Sequence, residues 1–123
     1  MPKKILIIED NSADAEMVKG LLEHEGFNAF VANNGGEGIK KALEIKPDLI
    51  LLDLVLPDMT GFSVCEKLKN EPSLKNTVVV VLTIKADIES ITKAFSAKAD
   101  DYIIKPPVPE FLARKLKLYL GTR

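Results

Sequence analysis

Five side chains able to do polar chemistry sit at the ends of apolar runs in this 123-residue sequence. Glu9 and Asp10 follow Ile5–Ile8, Asp53 follows Leu49–Leu52, Thr83 follows Val78–Leu82, and Lys105 follows Tyr102–Ile104. The stretch DLILLDLVLPDMTGF poses the problem most sharply, because Asp53 stands there among seven Leu, Ile and Val residues. A charge in such surroundings is costly unless something pairs with it. Brought together, the three carboxylates repel: two like charges at about 4 Å cost on the order of 4 kcal/mol at an effective dielectric near 20. Lys105 offsets one of the three, and a divalent hard cation offsets the rest. An all-oxygen ligand set suits Mg2+, which keeps open positions and prefers phosphate oxygens. The chemistry this set supports is the holding of a phosphoryl group against a carboxylate. Asp53 is then the nucleophile and forms an aspartyl-phosphate. Glu9 and Asp10 position the metal, while Lys105 and the Thr83 hydroxyl hold the phosphoryl oxygens as charge develops.

These residues meet only if the runs lie side by side. The five apolar runs, with Phe27–Ala32 as the second, recur at fairly even spacing. Between them lie stretches of helical period: Val18, Leu21 and Leu22 after a cap at Asn11 or Ser12; Ile39, Ala42 and Leu43; Val64 and Leu68; Ile88, Ile91 and Phe95; and Phe111, Leu112, Leu116, Tyr119 and Leu120. Gly26, Pro47 and Pro72 mark helix ends. Five strand–helix repeats define an α/β fold with a parallel sheet, doubly wound as (βα)5. The first, third and fourth runs are nearly pure Ile, Leu and Val, as central strands require, whereas Asn28 puts the second at an edge. In such sheets ligands bind at the carboxyl ends of the strands, near the point where strand order reverses.

Composition agrees with one compact domain spanning residues 1–123, with 46% hydrophobic and 28% charged residues. The formal net charge of −1 gives no general attraction to nucleic acid or anionic membrane. The single Cys65 cannot form an internal disulfide, which suits a reducing compartment. No apolar stretch approaches a signal peptide or membrane span. A cytoplasmic domain is expected, with no direct nucleic-acid contact and no membrane contact.

The acidic pair after the first strand, the D-x-x-x-P-x-x-x-G run (Asp53, Pro57, Gly61), the Thr after the fourth strand, and ADDYIIKP ending in Lys105–Pro106 together resemble a two-component response-regulator receiver domain over the whole chain. That resemblance implies the flavodoxin-like strand order 2-1-3-4-5. It implies that Asp53 is phosphorylated by a histidine kinase or a histidine phosphotransfer protein with Mg2+, and that Val55 offers its backbone carbonyl to the metal. It implies a cis Lys105–Pro106 bond and a switch in which Thr83 moves toward the phosphoryl group and Tyr102 turns inward. The face of the fourth helix, fifth strand and fifth helix would then bind a downstream protein or a second copy. The chain would be a switch and not a dedicated enzyme, catalysing only transfer to and hydrolysis from its own Asp53.

Several positions depart from the family pattern. Glu9 stands where Asp is commoner, and Pro107 where Phe is frequent. Val55 and Lys85, two residues beyond Asp53 and Thr83, flank the path of a hydrolytic water; Val55 cannot orient water, so slow dephosphorylation is expected. Phe111 and Leu118, a heptad apart on the last helix, form a candidate partner strip. Asp100 and Asp101 are candidates for charge pairing between copies, although Phe111 replaces an acid used there. Arg114, Lys115, Lys117 and Arg123 read as a solvated stripe, His24 as a surface residue, Cys65 as an inert thiol, and Asp58 as a solvated loop acid. Three other functions compete. A metal-dependent phosphatase using an aspartyl-phosphate would want a second acid where Val55 stands. An FMN carrier would want a Ser/Thr/Gly-rich loop where EDNSADAE stands. An unphosphorylated pseudo-receiver would not need Asp53, Thr83 and Lys105 together.

Overall fold

The computed structural model describes residues 2–121, so Arg123 of the basic stripe lies outside the described residues. Along the chain run β1 (Lys4–Ile8), α1 (Ser12–His24), β2 (Asn28–Ala32), α2 (Gly35–Ile45), β3 (Leu49–Leu52), α3 (Gly61–Lys69), a 3-10 turn (Pro72–Leu74), β4 (Val78–Thr83), α4 (Ile88–Ser96), β5 (Asp101–Ile104) and α5 (Pro109–Leu120). All strand pairs are parallel and the order is β2-β1-β3-β4-β5. The expected architecture and strand order are thus observed, and order reverses between β1 and β3.

The strands separate two cores because successive side chains point to opposite faces. Leu6, Ile8, Ile50, Leu52, Val79 and Val81 face α2, α3 and α4, which contribute Ala42, Val64, Leu68 and Ala94. Ile5, Ile7, Leu49, Leu51, Val80 and Leu82 face α1 and α5, which contribute Val18, Leu22, Leu112 and Leu116. Burying each such Leu or Ile stabilises by roughly 2 kcal/mol. Double-sided burial of β1, β3 and β4 explains why their sequences do not alternate with polar residues.

Side chains begin four of the helices. The amides of Asp14, Glu37, Ser63 and Ser90 donate to Asn11, Asn34, Thr60 and Asp87 respectively. Asn11, not Ser12, is the cap of α1. Pro109 opens α5, where its missing N–H costs nothing. Past the ends of α1 and α2, Gly26 and Lys46 take positive φ, at 91° and 47°.

The structure adds to the sequence reading at two places. Pro72 does not merely stop α3; it starts the 3-10 turn that seats buried Leu74. Two of the three apolar residues of α4 face away from the core, since Ser90 and Ala94 turn inward while Ile88 is 81% exposed and Phe95 is also exposed; Ile91 is half-buried. The spacing established an amphipathic helix, but small residues pack against the sheet and larger ones are left outside.

Candidate functional site

Backbone ladders run past the strand ends and fix the site. The Glu9 amide donates to the Ala32 carbonyl, Asp53 to Ile8 and Lys105 to Thr83, at 3.0, 3.0 and 2.8 Å. With Ile8 in register with Leu52, and Thr83 with Ile104, the residues that follow emerge together on one edge. Glu9 and Asp53 are buried there, as is the whole Thr83 side chain.

Lys105 is the hub. Its Nζ donates to Asp53 Oδ2 at 2.9 Å, to Asp14 Oδ2 at 2.9 Å, and to Glu9 Oε1. Asp53 Oδ1 accepts the Val55 N–H at 3.1 Å, and the buried Thr83 hydroxyl lies close enough to lower this carboxyl further. Burial pushes the Asp53 carboxyl up, but the Val55 N–H, Lys105 and Thr83 more than offset it, so it lies below its usual value. Asp53 is therefore ionised at neutral pH and able to attack. Glu9 is raised, chiefly by burial and further by the Asp53 charge, against bonds from Lys105 and the Asn11 N–H. Burial alone would lower Lys105, yet the bonds to Glu9, Asp14 and Asp53 raise it, so its charge is secure.

Asp10 lies exposed at the rim and forms no ion pair among the described residues. Four acids (Glu9, Asp10, Asp14, Asp53) against one ammonium leave three negative charges unbalanced. Such a hard, oxygen-only set fits Mg2+. Among the described residues no three acids form a group able to hold a metal ion in this arrangement; Glu9, Asp14 and Asp53 converge instead on the Lys105 ammonium.

Val55 and Lys85 adjoin this cluster, and the other anticipated residues are spread over the fold. Val55 is 46% exposed, beside Asp53. Lys85 is exposed; its N–H reaches Thr83 Oγ1 at 3.5 Å, and its carbonyl accepts the Tyr102 hydroxyl at 2.7 Å. Tyr102 also packs against Phe95, with ring centroids 6.5 Å apart. The Lys105–Pro106 bond is cis. Phe111 and Leu118, 52% and 78% exposed, lie on the outer side of α5. His24 is exposed and Cys65 buried, with burial pushing its thiol up to about 11.

Two acids carry roles that sequence reasoning missed. Asp14, in the first turn of α1, joins the Lys105 cluster; its place just after the Asn11 cap was the available signal. Asp58 is exposed, as expected, but it is not merely solvated: its two oxygens accept the Gly35 and Gly36 N–H groups at 2.8 Å each. Asp100 and Asp101, read as candidates for pairing between copies, are engaged within the chain. Asp100 pairs with Lys69 at 2.9 Å, and Asp101 with Lys115 at 2.8 Å and the Tyr119 hydroxyl at 2.8 Å. In the basic stripe Lys117 pairs with Glu25 at 2.6 Å.

A flavodoxin-like sheet whose switch point holds acids and a lysine instead of a glycine-rich phosphate loop is of the receiver class, not a flavin carrier. A family model described as the response regulator receiver domain matches residues 5–117. The chain belongs to that family, as the receiver domain of a two-component response regulator. It is 36% identical over 120 residues to the DNA-binding response regulator MtrA of Mycobacterium tuberculosis, covering 98% of this chain and 51% of that protein. It is 40% identical over 123 residues to the DNA-binding dual master transcriptional regulator RpaA of Synechocystis, covering 99% and 51%. The chain spans about half the length of these curated relatives. Their names concern DNA, so they do not support the expected lack of nucleic-acid contact. Among solved structures, a CheY-like receiver domain from Methanospirillum hungatei is similar at TM-score 0.93 and 34% identity, covering 98% of this chain and 95% of that one. The BeF3-activated receiver domain of DrrB is similar at TM-score 0.90 and 30% identity, covering 98% and 99%. Among the described residues no helix is long and apolar enough to cross a membrane.

Proposed function

We propose that this receiver domain is a cytoplasmic phosphorylation switch whose acceptor is Asp53. The observation that carries the reading is the convergence of an ionised, buried Asp53 with the Lys105 ammonium and the Thr83 hydroxyl. An Asp53 oxygen attacks the phosphorus of a phosphohistidine on a histidine kinase or phosphotransfer protein. The P–N bond breaks, an acyl-phosphate P–O bond forms, and the imidazole leaves with a proton from solvent. Mg2+, held by Glu9, Asp10, Asp53 and the Val55 carbonyl, would supply charge neutralisation at the phosphoryl oxygens. Lys105 holds one of those oxygens and Thr83 another. Glu9 and Asp14 keep Lys105 aimed at the pocket.

The phosphoryl group adds about two negative charges and strong acceptors. A hydrogen bond draws Thr83 toward it, and Tyr102, tied to the Lys85 carbonyl, follows the segment that leaves β4. The response is a population shift of the α4–β5–α5 face. That face exposes Ile88, Phe95, Ile104, Phe111 and Leu118, a surface suited to a protein partner. Output in relatives bears a DNA-binding name; the output assigned to this chain is protein contact. The test is incubation with acetyl phosphate and Mg2+ followed by intact-mass measurement. One added phosphoryl, absent in Asp53→Ala, is expected; equal uptake by the variant would overturn the reading.

A further inference from the structure

The loop leaving Asp53 is tied down at three points. At its start the Val55 N–H donates to Asp53 Oδ1 at 3.1 Å. At its end the Gly61 N–H donates to the Leu54 carbonyl at 3.0 Å. Gly61 permits that closure because a Cβ there would lie 2.4 Å from both the Asp53 carbonyl oxygen and Leu54 Cα. The third tie is Asp58. Its two oxygens each take one N–H from the first two residues of α2, where the helix dipole favours an anion. The loop also lies directly on the helix backbone, since a Cβ on Gly35 would meet Met59 Cγ at 2.4 Å.

The helix does not depend on Asp58 alone to begin. Asn34 serves the Glu37 N–H at 2.9 Å, so capping is divided between a local residue and one 23 positions away. The distant one does something a local cap cannot: it couples α2 to the segment that carries Val55. We propose that Asp58 is a positioning residue for the Asp53 site, clamping the loop to the N-terminus of α2 so that the Val55 main chain is held against the acceptor carboxylate. The inference rests on the phosphoacceptor reading. The two N–H bonds hold the Asp58 carboxyl below its usual value, so the clamp is charged at neutral pH. Replacing Asp58 frees the middle of the loop, and the Val55 carbonyl no longer has a fixed direction.

The test compares wild type with Asp58→Ala, Asp58→Asn and Asn34→Ala by amide hydrogen exchange, Mg2+ calorimetry and phosphoryl uptake from acetyl phosphate. Asp58→Ala is expected to speed exchange at Val55 and Gly61 roughly tenfold. It is also expected to weaken Mg2+ binding and slow uptake roughly tenfold, the usual scale for a group supporting a metal ligand. Asp58→Asn, which keeps one acceptor oxygen, should fall between, and it decides the matter if the alanine variant does not fold. Asn34→Ala should lower the melting temperature while leaving Val55 exchange and Mg2+ binding unchanged. Wild-type exchange at Val55 in Asp58→Ala, or equal effects of the Asn34 and Asp58 variants, would overturn the clamp. A wild type that takes up neither Mg2+ nor phosphoryl would instead sink the phosphoacceptor reading, and the exchange data would still judge the clamp.

Discussion

Lys105 Nζ lies 2.9 Å from Asp53 Oδ2, across 52 residues of sequence, and no other cation is paired with the buried acids. That statement holds among the described residues. Lys105→Met keeps the apolar stem and removes the charge, leaving Glu9 and Asp53 buried without a counter-charge. Unfolding in urea should show a loss of about 3 kcal/mol. A loss below about 1 kcal/mol would mean that water already solvates the acids.

Val55 is half-exposed beside the acceptor and offers no hydrogen bond to a water from its side chain. Val55→Asn supplies one. The aspartyl-phosphate should decay roughly tenfold faster, the scale expected when a reactant is better positioned. The decay of the phosphorylated mass after removal of acetyl phosphate measures this, and an unchanged lifetime would contradict it.

Gly61 explains the last residue of the D-x-x-x-P-x-x-x-G run in steric terms. In Gly61→Ala the new Cβ meets main chain at two points, the Asp53 carbonyl oxygen and Leu54 Cα, so the backbone next to the acceptor must shift. A destabilisation of about 2 kcal/mol is expected from such overpacking. Slower phosphoryl uptake should accompany it, whereas Gly20→Ala, inside α1 with nothing near its new Cβ, should leave uptake unchanged and stabilise by about 0.5–1 kcal/mol.

The Tyr119 hydroxyl donates to Asp101, and burial together with that acid pushes its pKa up to about 12 from 10.0. The folded value lies above the unfolded one, so the stabilisation is fully present below pH 10 and is lost as pH rises toward 12. Melting temperatures of wild type and Tyr119→Phe should therefore converge across that window. Parallel curves would show that the hydroxyl carries no proton-linked stability.

The strand ends were legible because central parallel strands read as unbroken Ile, Leu and Val, and the residue after each run must emerge on one edge. That places Glu9, Asp53, Thr83 and Lys105 without coordinates. Asp14 and Asp58 were not legible in the same way. Each acts on a partner far along the chain, 91 residues for Asp14 and Lys105 and 23 for Asp58 and Gly35. Neither interrupts an apolar run; only the place of Asp14 just after the Asn11 cap set it apart from a solvated acid. The face of α4 was hidden for a different reason. Spacing shows that Ile88, Ile91 and Phe95 share a side, but Ser90 and Ala94 are small enough to lie against the sheet, so Ile88 and Phe95 turn outward.

The most direct measurement locates the phosphoryl group itself. Borohydride reduces an acyl phosphate to an alcohol, so a phosphorylated aspartate becomes homoserine and can be mapped by peptide sequencing. After acetyl phosphate and Mg2+, homoserine at position 53 alone is expected. Homoserine at 10 or 14, the corresponding reduced product at Glu9, or no reduced residue at all would contradict Asp53 as the acceptor.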